Sequence, residues 1–149
     1  MPLNKELINT IVNVTSKAAI SCHKFIGKND KINADKAATD TMRHEINKLK
    51  INGEVVIGEG ELDEAPMLFI GEKLGSGGNL SLDIAVDPVE GTNFVANNLP
   101  GALSVIAISE KGNLFSAPET YMEKISVNFS EKNVVDLDFS VKKNIYNLS

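Results

Sequence analysis

A short apolar run that breaks abruptly into two carboxylates and a hydroxyl constrains this chain more than any other feature: Leu82-Asp83-Ile84-Ala85-Val86-Asp87-Pro88-Val89-Glu90-Gly91-Thr92. Leu82, Ile84 and Val86 alternate with Asp83 and Ala85, so the run reads as a partly or fully buried strand. Pro88 is expected to end it, because proline has no amide hydrogen to give a sheet ladder. Gly91 allows backbone conformations and close approaches that a Cβ would obstruct. Asp87 and Glu90 then stand three positions apart within one turn, where both side chains can point into one hole, and Thr92 adds a hydroxyl and a backbone amide. That is the layout of a divalent-metal and phosphate site.

The rest of the chain is compatible with a folded scaffold around that turn. With 149 residues, 42% apolar and 23% charged, it can bury a core as one domain spanning 1–149, and nothing in it reads as disordered or fibrous. A net charge of −5 with scattered Lys and Arg argues against nucleic acid as a partner, since phosphate-backbone binding needs clustered basic residues. An acidic protein handling a phosphorylated substrate needs metal ions to offset the repulsion. The single cysteine, Cys22, cannot form an internal disulfide and lies on an apolar helix face, which reads as a buried thiol. No apolar run approaches the ~20 residues that span a bilayer, and the N-terminus lacks a basic-then-apolar leader, so no membrane is expected and the location reads as cytoplasmic.

Before the central run, Leu7, Ile8, Ile11, Val12, Thr15, Ala18, Ala19, Cys22, Phe25 and Ile26 recur at helical spacing, which predicts an amphipathic helix from about residue 4 to about residue 25. Gly27 suits its end, and the polar stretch from Gly27 to Ala34 reads as a loop. Asp35 opens a second helical pattern with Ala38, Met42, Ile46 and Leu49 on one stripe, so it reads as an N-cap. The functional alternative is that Asp35 faces the metal site while Lys31, on the same loop, meets a phosphate; a capping carboxylate already lies where helix amides favour anions, so the two are compatible.

Glu54-Val55-Val56-Ile57-Gly58 reads as a β-branched strand that runs into Glu59-Gly60-Glu61-Leu62-Asp63-Glu64-Ala65-Pro66. Four carboxylates in six positions just beyond a buried strand repel one another, and a cation removes that penalty. Glycines on both sides of Glu59 let the backbone turn sharply and aim it inward, making it the strongest ligand candidate, ahead of Glu61, Asp63 and Glu64. Gly75-Ser76-Gly77-Gly78 lacks the lysine and spacing of a P-loop and reads as a flexible connection. After Thr92, Ala102 to Ser109 reads as a long buried strand, Glu110-Lys111-Gly112-Asn113 as a hairpin turn and Leu114-Phe115-Ser116 as the start of the returning strand. Tyr121 can hydrogen-bond a sugar hydroxyl or phosphate, or sit at a core edge. Ser140 looks like an N-cap, with Val141, Ile145 and Leu148 on one face of a helix whose stripe stops at Ser149; that stripe and the sheet edge suggest association.

Taken in order, four blocks closely resemble the class II fructose-1,6-bisphosphatases of the lithium-sensitive sugar phosphatase superfamily. They are Gly27-Lys28-Asn29-Asp30-Lys31 with Ala34-Asp35, the stretch from Val56 to Met67, the stretch from Asp83 to Thr92, and Ala117-Pro118 with Tyr121-Met122-Glu123-Lys124. The motifs extend to about Val127, and the last twenty or so residues match weakly. The resemblance implies a layered α-β-α fold with a mixed sheet, dependence on Mn²⁺ or Mg²⁺, and hydrolysis of the 1-phosphate of fructose 1,6-bisphosphate in gluconeogenesis. By position it implies Asp35, Glu59, Asp87 and Glu90 as metal ligands, with Glu90, Gly91, Thr92 and Tyr121 contacting substrate. Family members are considerably longer, so the chain is expected to be the N-terminal portion of the fold. A further carboxylate ligand and most sugar contacts would then lie elsewhere, in a truncated or split protein or in a complementing second chain.

The expected chemistry is metal-assisted phosphate monoester hydrolysis. Asp87, Glu90 and Glu59 hold divalent ions, Thr92 paired with Asp35 orients the attacking water, Lys31 meets phosphate, and the amides of Gly91 and Thr92 hold it at a helix start. Cys22 lies in a helix face, and His23 and His44 lack ligand spacing to one another, so a covalent phosphoenzyme and a zinc site are disfavoured. Two rivals remain: the same chemistry on another sugar bisphosphate, an inositol phosphate or a nucleotide phosphate, and a half-domain that binds metal or phosphate without turnover.

Overall fold

The computed structural model describes residues 5–59, 67–115, 122–128 and 133–149 of the chain. Two compact units divide it, Met1–Ser116 and Ala117–Ser149.

In the first unit the expected N-terminal helix, α1 (Lys5–Cys22), forms because Ile11, Val14, Ala18 and Cys22 recur at three- and four-residue spacing and are all buried. A single 3₁₀ turn, His23–Phe25, ends it. The second helix, α2 (Lys31–Ile46), begins earlier than the stripe from Ala38 predicts. Its N-cap is Asp30, whose carboxylate accepts from the Asn33 amide at 3.1 Å. Asp35 is therefore not the cap but the fifth helical residue, and Lys31 is the first. Ala34 supplies the extra buried turn in front of Ala38 and Met42.

Four strands form a mixed sheet in the order β2-β1-β3-β4. β1 (Asn52–Ile57) runs parallel to β3 (Ser81–Glu90) and antiparallel to the two-residue β2 (Lys73–Leu74), while β3 pairs antiparallel with β4 (Leu103–Glu110). Leu82, Ile84 and Val86 lie opposite Glu110, Ile108 and Ile106 and join the core with Met42, Ile46, Val55 and Leu68. Odd-numbered positions of β4 point the other way, and among the described residues Leu103 and Val105 there are 61% and 44% exposed.

Three expectations about this sheet are corrected. β4 is not a long buried strand: none of its residues from Leu103 to Glu110 is buried. Pro88 does not end β3. The strand continues to Glu90 because a bulge absorbs the proline: Asp87 pairs with Val105 and Glu90 with Leu103, so three steps on β3 match two on β4. The antiparallel partner of β4 is β3 rather than a hairpin return. Leu114 and Phe115 are not in a strand; the amides of Gly112 and Leu114 donate instead to the buried Asp83 carboxylate, at 2.6 and 3.3 Å. The connection at 75–78 is tied down, with Gly75 N–H on Asn47 Oδ1, Ser76 N–H on the Leu49 carbonyl and Gly77 N–H on that of Ile51.

The second unit carries α4 (Val141–Leu148), capped as expected by Ser140, which accepts from the Lys143 amide at 3.2 Å. Asn144 exchanges two hydrogen bonds with the backbone of Asp136, and Asn147 donates to the Val134 carbonyl. Val141 and Ile145 are exposed.

Candidate metal and phosphate site

The bulge decides where the carboxylates point. In a regular strand, residues three apart face opposite sides, because side chains alternate. The extra residue between Asp87 and Glu90 restores parity: their partners Val105 and Leu103 are two apart on β4, so Asp87 and Glu90 share a face. Immediately after Glu90, Gly91 takes φ +85°, and a Cβ there would meet the Phe94 ring at 2.9 Å. That left-handed residue turns the chain into α3 (Thr92–Ala96), which carries Thr92 and Asn93.

Glu59 arrives from the end of β1 by a different device. Gly58 packs so closely on the Leu68 carbonyl and the Val55 side chain that a Cβ would collide with both. The next amide, that of Glu59, donates to the Leu68 carbonyl at 3.0 Å. Asp35 comes from the first turns of α2.

These elements enclose a cavity of about 300 Å³ lined by Asp35, Glu59, Asp87, Glu90, Gly91 and Thr92, together with Met67, Val89 and Asn93. Six of the residues singled out in the sequence thus meet at one place. Lys31 is exposed and does not line the cavity, although it stands one turn before Asp35 on α2. Tyr121, Glu61, Asp63 and Glu64 lie outside the described residues. Asn93 and Met67 were not anticipated. Asn93 had a positional signal, as the next residue in the turn that presents Thr92; an apolar Met67 offers none.

The electrostatics are those of crowded anions. Burial raises the Glu59 carboxyl to about 7, and the charges of Asp87 and Asp35 add to the effect. Asp87 rises to about 6, from burial first and then from its hydrogen bond and charge interaction with Glu90. Asp35 is raised by burial. Oδ1 of Asp35 and Oδ1 of Asp87 are buried with no hydrogen-bond partner. An ionised carboxylate can only accept, so these oxygens want donors or a cation, and a hard divalent ion takes oxygen ligands of this kind. The donor set therefore fits a divalent metal, although among the described residues no three His, Cys, Asp or Glu side chains close as a finished ligand group. Cys22 is buried, with its thiol against the Ala18 and Ala34 carbonyls, and does not line the cavity.

Comparison with known proteins places this geometry in context. The family described as "Bacterial fructose-1,6-bisphosphatase, glpX-encoded" matches residues 5–149, so the match extends beyond Val127 and takes in the final helix. A fructose-1,6-bisphosphatase 1 class 2 of Escherichia coli (strain K12) is 44% identical over 147 residues, covering 99% of this chain and 44% of that protein. A D-fructose 1,6-bisphosphatase class 2/sedoheptulose 1,7-bisphosphatase of Prochlorococcus marinus (strain AS9601) is 46% identical over the same shares. The chain thus spans 44% of the length of these curated relatives. A solved structure titled an extragenic suppressor from Pyrococcus furiosus superposes with a TM-score of 0.48 at 18% identity, over 72% of this chain and 41% of that one, below the level from which a shared fold is argued. No helix among the described residues is long and apolar enough to cross a membrane.

Proposed function

The chain belongs to the family of bacterial, glpX-encoded fructose-1,6-bisphosphatases, and from that premise we propose that its cavity is the metal-holding wall of a site that hydrolyses fructose 1,6-bisphosphate to fructose 6-phosphate and phosphate. The observation that carries this reading is the pair of buried, unpartnered oxygens on Asp35 and Asp87, contributed by two different elements to one cavity that Glu59 and Glu90 also line. Asp35, Glu59, Asp87 and Glu90 would hold Mn²⁺ or Mg²⁺. Such ions supply charge neutralisation at the phosphate oxygens and lower the pKa of the attacking water.

The chain's own residues then have separable tasks. Thr92, at the start of α3, presents a hydroxyl that orients water together with Asp35. Gly91, at φ +85°, would let the backbone approach the phosphate. Lys31 sets a positive charge one helical turn before Asp35. Glu90 would contact the substrate, as the family resemblance implies for Tyr121. The whole enzyme would act in the cytoplasm on a small-molecule sugar bisphosphate, in gluconeogenesis. Phosphate release from fructose 1,6-bisphosphate with Mn²⁺, measured for this chain and for Asp87→Asn, tests the reading. Near-normal turnover by Asp87→Asn under saturating Mn²⁺ would overturn the ligand assignment.

A second reading is that this chain binds metal or phosphate and turns nothing over until a complementing chain or second copy joins it. The exposed Leu103 and Val105, on the same face of the sheet as their β3 partners Glu90 and Asp87, favour it. Activity only on mixing with a complementing chain supports this reading; activity alone removes it. Because the Prochlorococcus marinus relative is named for two bisphosphates, sedoheptulose 1,7-bisphosphate belongs in the same assay as the alternative substrate.

A further inference from the structure

Glu59 and Met67 are two of the residues lining the cavity, and a side chain outside that lining holds the Met67 carbonyl. Arg43 lies on α2 two turns beyond Asp35 and is itself no part of the cavity lining. Its Nη2 donates to the Met67 carbonyl at 2.6 Å. Its Nε and the same Nη2 grip the Glu72 carboxylate at 2.6 and 3.2 Å, and Nη1 stands 3.7 Å from Asp40. Glu72 is only 12% exposed. The segment it sits on is pinned to β1, with Val55 N–H on the Glu72 carbonyl at 3.0 Å and Gly71 N–H on the Val55 carbonyl at 2.7 Å.

The consequence follows along the backbone. Holding the Met67 carbonyl fixes the peptide plane that leads into Leu68, and the Leu68 carbonyl receives the Glu59 amide. Arg43 therefore connects the helix that carries Asp35 to the peptide that seats Glu59. A planar guanidinium can serve a carboxylate and a carbonyl at once through fixed, divergent N–H groups, which a lysine ammonium cannot reproduce. For stability alone a pair like this, with Arg43 27% and Glu72 12% exposed, is replaceable, because well-packed apolar residues are often as good or better in place of a largely desolvated ion pair. What apolar residues cannot do is hold a carbonyl in place.

We propose that Arg43 is a positioning residue for the carboxylate cluster: by tying Met67 and Glu72 to α2 it sets the distance between Glu59 and Asp35, and hence the affinity for a divalent ion. This rests on the metal reading of the cavity. It is tested on the 149-residue chain by titration with Mn²⁺, by thermal melting and by exchange of the Glu59 amide, for Arg43→Met, Arg43→Lys and the double variant Arg43→Met/Glu72→Met.

The expected result is that Arg43→Met weakens Mn²⁺ binding by about tenfold or more, the range seen when groups supporting a metal's ligands are lost. Arg43→Lys is not rescued to wild-type affinity. The double variant, freed of a buried unpaired carboxylate, regains its melting temperature but not its Mn²⁺ affinity. In both Met variants the Glu59 amide exchanges about tenfold faster, while the Ile84 amide in β3 keeps its wild-type rate. Mn²⁺ affinity that returns with the melting temperature in the double variant would reduce Arg43 to a structural role. An unchanged Glu59 amide would overturn the proposal outright. A wild-type chain that binds no Mn²⁺ would sink the metal reading instead, and the amide data would still decide whether Arg43 seats Glu59.

Discussion

Replacing Glu59 with Gln keeps the shape of the side chain and removes its titration, so it isolates what the crowded cluster costs. The folded carboxyl sits at about 7 against an ordinary 4.5. Between those two values the folded chain holds a proton that the unfolded chain has released, so stability falls as pH rises through this window and levels off above it. A gap of about 2.5 units corresponds to about 3 kcal/mol at 1.36 kcal/mol per unit. The cavity is partly open to water, which screens such terms, and about 1–2 kcal/mol is the discounted figure. For a chain of this length that is about 3–6 °C in Tm. Thermal melts with chelator at pH 5, 6, 7 and 8 should show the wild type losing about that much more than Glu59→Gln across the range, with the variant more stable at pH 8. Asp87, raised to about 6, contributes to the slope that remains in the variant. Added Mn²⁺ should raise the wild-type Tm more at pH 8 than at pH 5, because ligands must shed protons to bind, and should raise the variant less. Parallel pH curves for the two proteins, or a variant less stable than wild type at pH 8, would refute the account of crowded carboxylates.

Three further outcomes follow from particular contacts. Gly58→Ala drives a methyl into the Leu68 carbonyl and the Val55 side chain and should cost about 1–3 kcal/mol, read as a lower Tm, together with faster exchange of the Glu59 amide. Asp83→Ala leaves the Gly112 and Leu114 amides without their acceptor at a site that is 3% exposed, and should cost about 1–3 kcal/mol by denaturant titration, with loss of protection at Gly112. Glu45, held at about 2 by hydrogen bonds from Lys17 and Lys48, contributes stability that is present above its ordinary value of 4.5 and lost as pH falls toward 2. Both lysines are half exposed, so Glu45→Gln should flatten the acid limb of the Tm curve by no more than about 1 kcal/mol.

How much of this architecture is legible in the sequence depends on whether the deciding interaction is local. α1 and the interior of α2 declare themselves because their buried residues repeat with the helical period. The start of α2 does not, because two aspartates compete for the cap. Asp30 wins through a hydrogen bond with Asn33 and through one more buried turn at Ala34, a small residue that marks a core position weakly. β2 is two residues long and has no period to detect. The turn at 110–113 has hairpin composition, yet what the Gly112 and Leu114 amides meet is the Asp83 carboxylate, about thirty positions back in the chain. A partner that distant leaves no mark on local turn chemistry.

The site itself was legible as a list of residues but not as a geometry, and Pro88 is where the two part. Reading the proline as a strand end makes Asp87 and Glu90 neighbours in a loose turn, free to point together by flexibility. In the fold they remain in the ladder, where alternation would set residues three apart on opposite faces. They share a face only because one residue is left over between the Asp87–Val105 and Glu90–Leu103 pairs. Proline suits that surplus position, since a bulged residue makes no ladder bond for its missing amide to forfeit. The bulge also carries rigidity into the site: Pro88 and Val89 are buried, so the backbone that presents the carboxylates on either side of them is held by packing rather than by a loop. An acidic pair at i and i+3 around a proline, at the end of an alternating apolar run, therefore signals more than the end of a strand. It marks a place where the chain has spent one extra residue to turn two charges toward the same cavity.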